Sequence, residues 1–179
     1  AAIAADVVNG AVTLSSQATT DNDGASIQGN EIFAVATTRD IWFETKITPT
    51  DAEGDAMDIC IGLTVNFATN PEAMLTAADR IVFQVDDGDS NIDCVTEKDG
   101  TATTTDSGVD IASGTAVTLG FHVKSTGSVE FFVNRNKVAT HTANIPDDEN
   151  LALGAMELSG SATGTKSMNI DYMFAAQDR

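Results

Sequence analysis

Four aspartates, Asp86, Asp87, Asp89 and Asp93, crowd one short stretch around Gly88. Carboxylate oxygens at such density suit a hard cation, so these four are the candidate calcium ligands. Their spacing is not that of an EF-hand loop, which needs a Glu six positions after the Gly. A solvated acidic turn is the competing reading. A second acidic stretch, Glu53-Gly54-Asp55-Ala56-Met57-Asp58, offers carboxylates at spacings of two and three. Glycosidases place two carboxyl groups on either side of a bond. On a strand, however, an odd spacing sends Asp55 and Asp58 to opposite faces. That stretch reads as an acidic loop, and the catalytic set is empty.

The other reactive side chains offer no constellation. His122 and His141 fall in expected strands without partners at motif spacing, so both read as structural or surface groups. Cys60 and Cys94 show no CxxC spacing and read as two small buried residues, reduced and unpaired. No GxSxG, HExxH or phosphate-binding loop occurs. Trp42 and Tyr172 are the only residues of their kinds. With so few aromatics for a sugar platform, Trp42 is expected in the core.

The elements that must carry these residues are strands. Met57, Ile59, Ile61, Leu63 and Val65 alternate with small or polar residues, the period of a half-buried strand. Ile41-Trp42-Phe43-Glu44-Thr45-Lys46-Ile47 reads the same way. Further strands are expected at 79–85, 92–97, 116–124, 128–134, 137–141, 151–158 and 167–174. In the last of these, Met168, Ile170, Tyr172 and Phe174 share one parity and should share one face. Turn residues punctuate the intervals, with Asn134-Arg135 as a tight hairpin. Residues 70–79 read as one short helix or a loop, with Asn70 as cap and Pro71 in the first turn. Strands are expected at 7–14 and 32–37, with a polar exposed loop at 15–30. Antiparallel strands without intervening helices imply an all-β antiparallel sandwich or jelly roll.

The chain has 179 residues, 42% of them hydrophobic, which fits one domain spanning 1–179. Residues 1–37 could be an N-terminal arm that contacts a partner, or the first strands of the sandwich. Nine Lys and Arg against 27 Asp and Glu give a net charge of −18. Such a surface repels polyanions, so nucleic acid and anionic membrane are excluded as partners. No apolar run reaches the length of a membrane span. The stretch from Ala1 to Asp6 has no basic flank and is too short for a signal peptide.

Four stretches carry a resemblance over about three quarters of the chain. They are Trp42-Phe43-Glu44-Thr45-Lys46-Ile47 with the acidic loop 48–55 and the strand at 59–63; Phe83-Gln84-Val85-Asp86-Asp87-Gly88-Asp89-Ser90-Asn91-Ile92-Asp93; Val117-Thr118-Leu119-Gly120-Phe121 with Val129-Glu130-Phe131-Phe132-Val133-Asn134 and Val138-Ala139-Thr140; and Asn144-Ile145-Pro146-Asp147-Asp148-Glu149 running to Met168-Asn169-Ile170-Asp171-Tyr172. This pattern resembles concanavalin A-like jelly-roll domains, and more narrowly the virion structural proteins of tailed bacteriophages of marine and cyanobacterial type. Arg135 stands where the hairpin usually has Gly.

The resemblance implies a non-enzymatic capsid decoration (cement) protein on the phage head, assembled in the host cytoplasm without a cofactor. Its partner would be the major capsid protein, and a homo-oligomer, a trimer by preference, would fit the threefold positions of a capsid lattice. The alternative is a carbohydrate-binding, lectin-like module on the virion surface or a tail fibre.

Overall fold

A computed structural model describes residues 2–4, 10–16, 21–51, 56–67, 70–160 and 165–179. The described strands are β1 (Ala2–Ala4), β2 (Ala11–Ser15), β3 (Gly24–Ala34), β4 (Ile41–Asp51), β5 (Met57–Thr64), β6 (Arg80–Val85), β7 (Asn91–Lys98), β8 (Thr101–Asp110), β9 (Val117–Lys124), β10 (Ser128–Val133), β11 (Asn136–His141), β12 (Asn150–Ser159) and β13 (Lys166–Gln177). They form two antiparallel sheets. One runs β1-β2-β13-β4-β9-β10-β11 and the other β3-β12-β5-β6-β7-β8. This is the concanavalin A-like jelly-roll sandwich.

Alternation builds the core between the sheets. Ile41, Phe43 and Ile47 of β4 and Leu119, Phe121 and Val123 of β9 face Ile59, Ile61 and Leu63 of β5 and Ile81, Phe83 and Val85 of β6. Four Phe rings sit at its centre. Phe43 stacks on Phe121 at 4.7 Å, and Phe83 meets Phe131 edge-on at 5.4 Å. Such pairs contribute about 0.5–1.5 kcal/mol each beyond their burial. The β8 and β11 edges are joined by His141, whose ring nitrogens lie 3.0 Å from the Thr96 and Thr105 hydroxyls.

The outer face of the six-stranded sheet is also covered. Phe67 and Met74 lie over Cys60, Val82, Val95, Met156 and Leu158. Residues 71–74 make the expected short helix as a single 3-10 turn, capped by Asn70 through Glu72 N–H at 3.2 Å. A side chain at position 154 would strike the Phe67 ring at 2.8 Å, so Gly154 is its seat. Arg80 holds this flap down by donating to Glu97 at 2.7 Å and to the Met74 carbonyl at 3.1 Å. Both faces of β5 are therefore buried.

The N-terminal part supplies strands, as one of its two readings expects. β2 pairs with β13, and β3 pairs with β12 as a sheet edge. The loop expected at 15–30 is corrected at its second half, where β3 begins at Gly24. This edge strand is half-buried along most of its length, so it shows no period of two. The edge strand β8 lies in a stretch where no strand was expected. Its Thr-rich sequence has β-branched residues but no apolar stripe.

Candidate functional site on the seven-stranded sheet

No segment among the described residues covers the outer face of the seven-stranded sheet at β4, β9, β10 and β13, and its side chains point to solvent. Two cross-strand rows define a cleft there. In one row Trp42 of β4 stands opposite His122 of β9, which stands opposite Glu130 of β10. In the next, Phe174, Glu44, Gly120 and Phe132 follow one another across β13, β4, β9 and β10. Gly120 has no side chain, so the sheet dips between Glu44 and Phe132. A Cβ there would meet the Phe43 carbonyl at 3.0 Å. The resulting cleft has a volume of about 440 Å³, with Trp42, His122, Phe132, Phe174 and Arg135 as its walls.

The rings are presented, not stored. Trp42 is 39% exposed, Phe174 53% and Tyr172 37%. The expectation that Trp42 is core is corrected. Its neighbours Ile41 and Phe43 take the inner face, so alternation sends Trp42 outward, where it stacks on the His122 ring at 5.1 Å. The expected common face of Met168, Ile170, Tyr172 and Phe174 is corrected as well. The register against β4 slips between Ile170 and Tyr172. This bulge at Asp171 adds one residue and inverts the parity beyond it. Met168 and Ile170 stay inside while Tyr172 and Phe174 turn out. The strand lies inside its sheet, between β2 and β4.

Polar groups pair on this face, and one bond from the inner face supports them. The Tyr172 hydroxyl donates to Glu44 Oε1 at 2.6 Å, and Thr45 Oγ1 donates to the Tyr172 carbonyl at 2.8 Å. Burial, and then the Glu44 carboxylate, push the Tyr172 phenol up to about 12. His122 Nε2 lies 2.8 Å from Asp40 Oδ2. Asp40 is held below the usual carboxylate range by the Ser125 backbone N–H and by His122. Arg135 reaches the cleft from a two-residue hairpin in which both Asn134 and Arg135 have positive φ, 50° and 67°. That is the turn chemistry expected for Asn134-Arg135, with Arg in place of the strain-free Gly.

The four candidate calcium ligands occupy the β6–β7 hairpin, away from this cleft. Asp86 accepts from Gln84 at 2.6 Å, Asp89 accepts from Asn91 N–H, and Asp87 donates its backbone N–H to Asp58. Asp93 is raised by burial and then by the charge of Asp106 and its neighbours. Among the described residues no group of three or more His, Cys, Asp and Glu is arranged to hold a metal ion. Of the second acidic stretch, 53–55 lie outside the described residues. Asp58 is buried and raised by desolvation.

Cys60 and Cys94 are both free thiols, and they face opposite sides of the six-stranded sheet. Burial lifts each to about 12. A second hollow of about 470 Å³ lies at one end of the sandwich, beside Lys98 and Lys124. It has no aromatic wall, and its lysines are engaged by Asp147 and Glu130.

The sequence matches no family model and no curated protein. Solved structures share the fold. The alginate lyase AlyC3 superposes with a TM-score of 0.60 at 8% identity, over 94% of this chain and 75% of that one. A native glycosidic hydrolase gives 0.63 at 16%, over 90% and 75%. The carbohydrate recognition domain of Emp46p, in a potassium-bound form, gives 0.63 at 9%, over 87% and 78%.

The expectation of a non-enzymatic chain is overturned by these comparisons, because enzymes that act on polysaccharides share this sandwich. The absence of local motifs does not decide the matter. Groups that meet on an exposed sheet face come from separate strands and leave no local spacing in the sequence. The capsid and virion terms of the resemblance find no support in these comparisons, whereas its jelly-roll terms do.

Proposed function

We propose that this chain binds a carbohydrate in the cleft over Gly120. One observation carries the reading: rings stand around a side-chain-free dip lined by the Glu44 carboxylate, to which the neighbouring Tyr172 hydroxyl donates. Sugar rings present apolar C–H faces and hydroxyl edges. The first suit Trp42, Phe132 and Phe174, and the second suit Glu44, Tyr172, His122 and Thr118. Kinship of fold with polysaccharide lyases, a hydrolase and a lectin domain supports the reading.

Trp42 is the sole tryptophan and lies in the wall, so its fluorescence reports occupancy directly. Titration with soluble polysaccharides should shift its emission, and His122→Ala should abolish or weaken the response at least tenfold. An emission spectrum unmoved by every polysaccharide in a broad panel rejects the reading.

Turnover of the bound chain is a second reading. It is favoured by two hydrogen-bonded acid–base pairs on this one face, Tyr172 with Glu44 and His122 with Asp40. A phenol held protonated can donate a proton to a leaving oxygen, and an imidazole oriented by a carboxylate can exchange one. New reducing ends, or unsaturated products that absorb in the ultraviolet, would reveal it. Their absence on every polysaccharide that binds would leave binding alone.

A further inference from the structure

The charges around the cleft say which glycan it takes. Lys46 is held by Asp171 at 2.9 Å, while Lys124 and Lys137 both reach Glu130, at 2.9 and 3.4 Å. The carboxylates Glu44 and Asp40 stand beside Tyr172 and His122. Among the lining residues, Arg135 is the single cation, and it has no carboxylate partner among the described residues. Cations and carboxylates therefore balance locally, inside a molecule of net charge −18. A polyuronate brings one negative charge per sugar. It would meet one unpaired guanidinium, the Glu44 carboxylate on the floor and a repulsive long-range field. Ring stacking has no such penalty for a neutral sugar.

Geometry sets the length. Phe174 and Phe132 end a single cross-strand row whose interior is Glu44 and Gly120. Three interstrand steps of about 4.8 Å place the two rings about 14 Å apart. That is the span of about three pyranose units laid across the strands, with the middle unit over Gly120. A second copy of this chain is disfavoured as the occupant, because both copies carry the same large negative charge.

We infer that the cleft takes an uncharged linear glycan, bound as about three sugar units across β13, β4, β9 and β10, and discriminates against polyuronates. The inference rests on the carbohydrate reading above and narrows it.

The test is a Trp42 fluorescence titration of the full chain with cellotriose, xylotriose, mannotriose and maltotriose, and with trimannuronate and trigalacturonate, at low and high salt. One neutral trisaccharide should bind at least tenfold more tightly than either uronate. High salt should narrow the gap by screening the repulsion. Phe174→Ala and Phe132→Ala should each weaken the neutral ligand about tenfold. Phe174→Ala should leave the melting temperature unchanged, since that ring is exposed. Uronates binding as tightly as neutral sugars would overturn the inference and leave the carbohydrate reading standing. No binding by any of the six would overturn the inference, and a broad polysaccharide panel that also leaves the emission unmoved would overturn both. Sedimentation showing a wild-type dimer that Phe174→Ala dissociates would give the cleft to a second copy and overturn the inference.

Discussion

Tyr172 of β13 and Glu44 of β4 are joined across the sheet by a hydrogen bond of 2.6 Å, between residues 128 positions apart in the chain. The bond exists because the bulge at Asp171 turns the Tyr172 ring to the face that Glu44 occupies. Without the extra residue, alternation would place the ring in the core beside Ile170. The sequence expectation for this strand failed at that one inserted residue.

The pair has a direct spectroscopic consequence. Tyr172 is the only tyrosine, so phenolate absorbance on alkaline titration reports this residue alone. Its midpoint should lie near 12 instead of 10, from burial first and the Glu44 carboxylate second. Glu44→Gln removes the charge and should bring the midpoint down, with burial keeping it above 10. A wild-type midpoint at 10 would show that the hydroxyl neither donates to Glu44 nor sits in a shielded place.

Much of the fold was legible because period two survives wherever one face is core. The run Met57, Ile59, Ile61, Leu63 reads correctly in both element and facing. The cleft was illegible for the same reason. Trp42, Gly120, Phe132 and Phe174 occupy the solvent phase of their strands, where sequence gives no rule beyond polarity, and their neighbourhood exists only through strand order. Scarcity of aromatics argued against a sugar platform, but a platform needs a few rings on one face, not many in the chain. The four aspartates around Gly88 are the opposite case, legible as a cluster from the sequence alone. In the structure Asp86 and Asp89 each accept a hydrogen bond within the hairpin.

Arg135 separates function from stability. Its φ of 67° lies in the left-handed region, where an L side chain costs on the order of 1 kcal/mol. Glycine would relieve that strain, offset in part by its greater unfolded-state freedom. Arg135→Gly should therefore stabilise the protein by about 0.5–1 kcal/mol while weakening occupancy of the cleft several-fold. Chemical denaturation and the Trp42 titration measure the two quantities independently. A less stable variant would show that the turn stores no strain at Arg135, and one that binds equally well would show that the side chain does not serve the cleft.

Two buried ionisable groups give stability opposed dependences on pH. Glu157 is fully buried on β12, and desolvation raises its carboxyl from 4.5 to about 7. Ser16 and Lys166 pull it down in part, and Asp23 pushes it up. The folded state thus keeps a proton that the unfolded chain releases above 4.5. The stability this proton supplies is present at low pH and is lost as pH rises through about 7, by roughly 3 kcal/mol. His141 works the other way. Burial between β7, β8 and β11 lowers its imidazole below 6.5, so the unfolded chain binds the proton first. Its stabilisation is present above 6.5 and is lost as pH falls below that value. Differences between variant and wild type isolate each term, because the remaining charges cancel. Glu157→Gln should gain stability relative to wild type between pH 4.5 and 7, with the gain levelling off above 7. His141→Asn loses the bridge between Thr96 and Thr105, so it should be less stable at pH 8, with a deficit that shrinks as pH falls below 6.5. Urea denaturation from pH 4 to 8 measures both curves. A flat Glu157→Gln difference would mean that this carboxyl titrates alike in both states. A His141→Asn deficit that widens in acid would mean that the imidazole is protonated when folded.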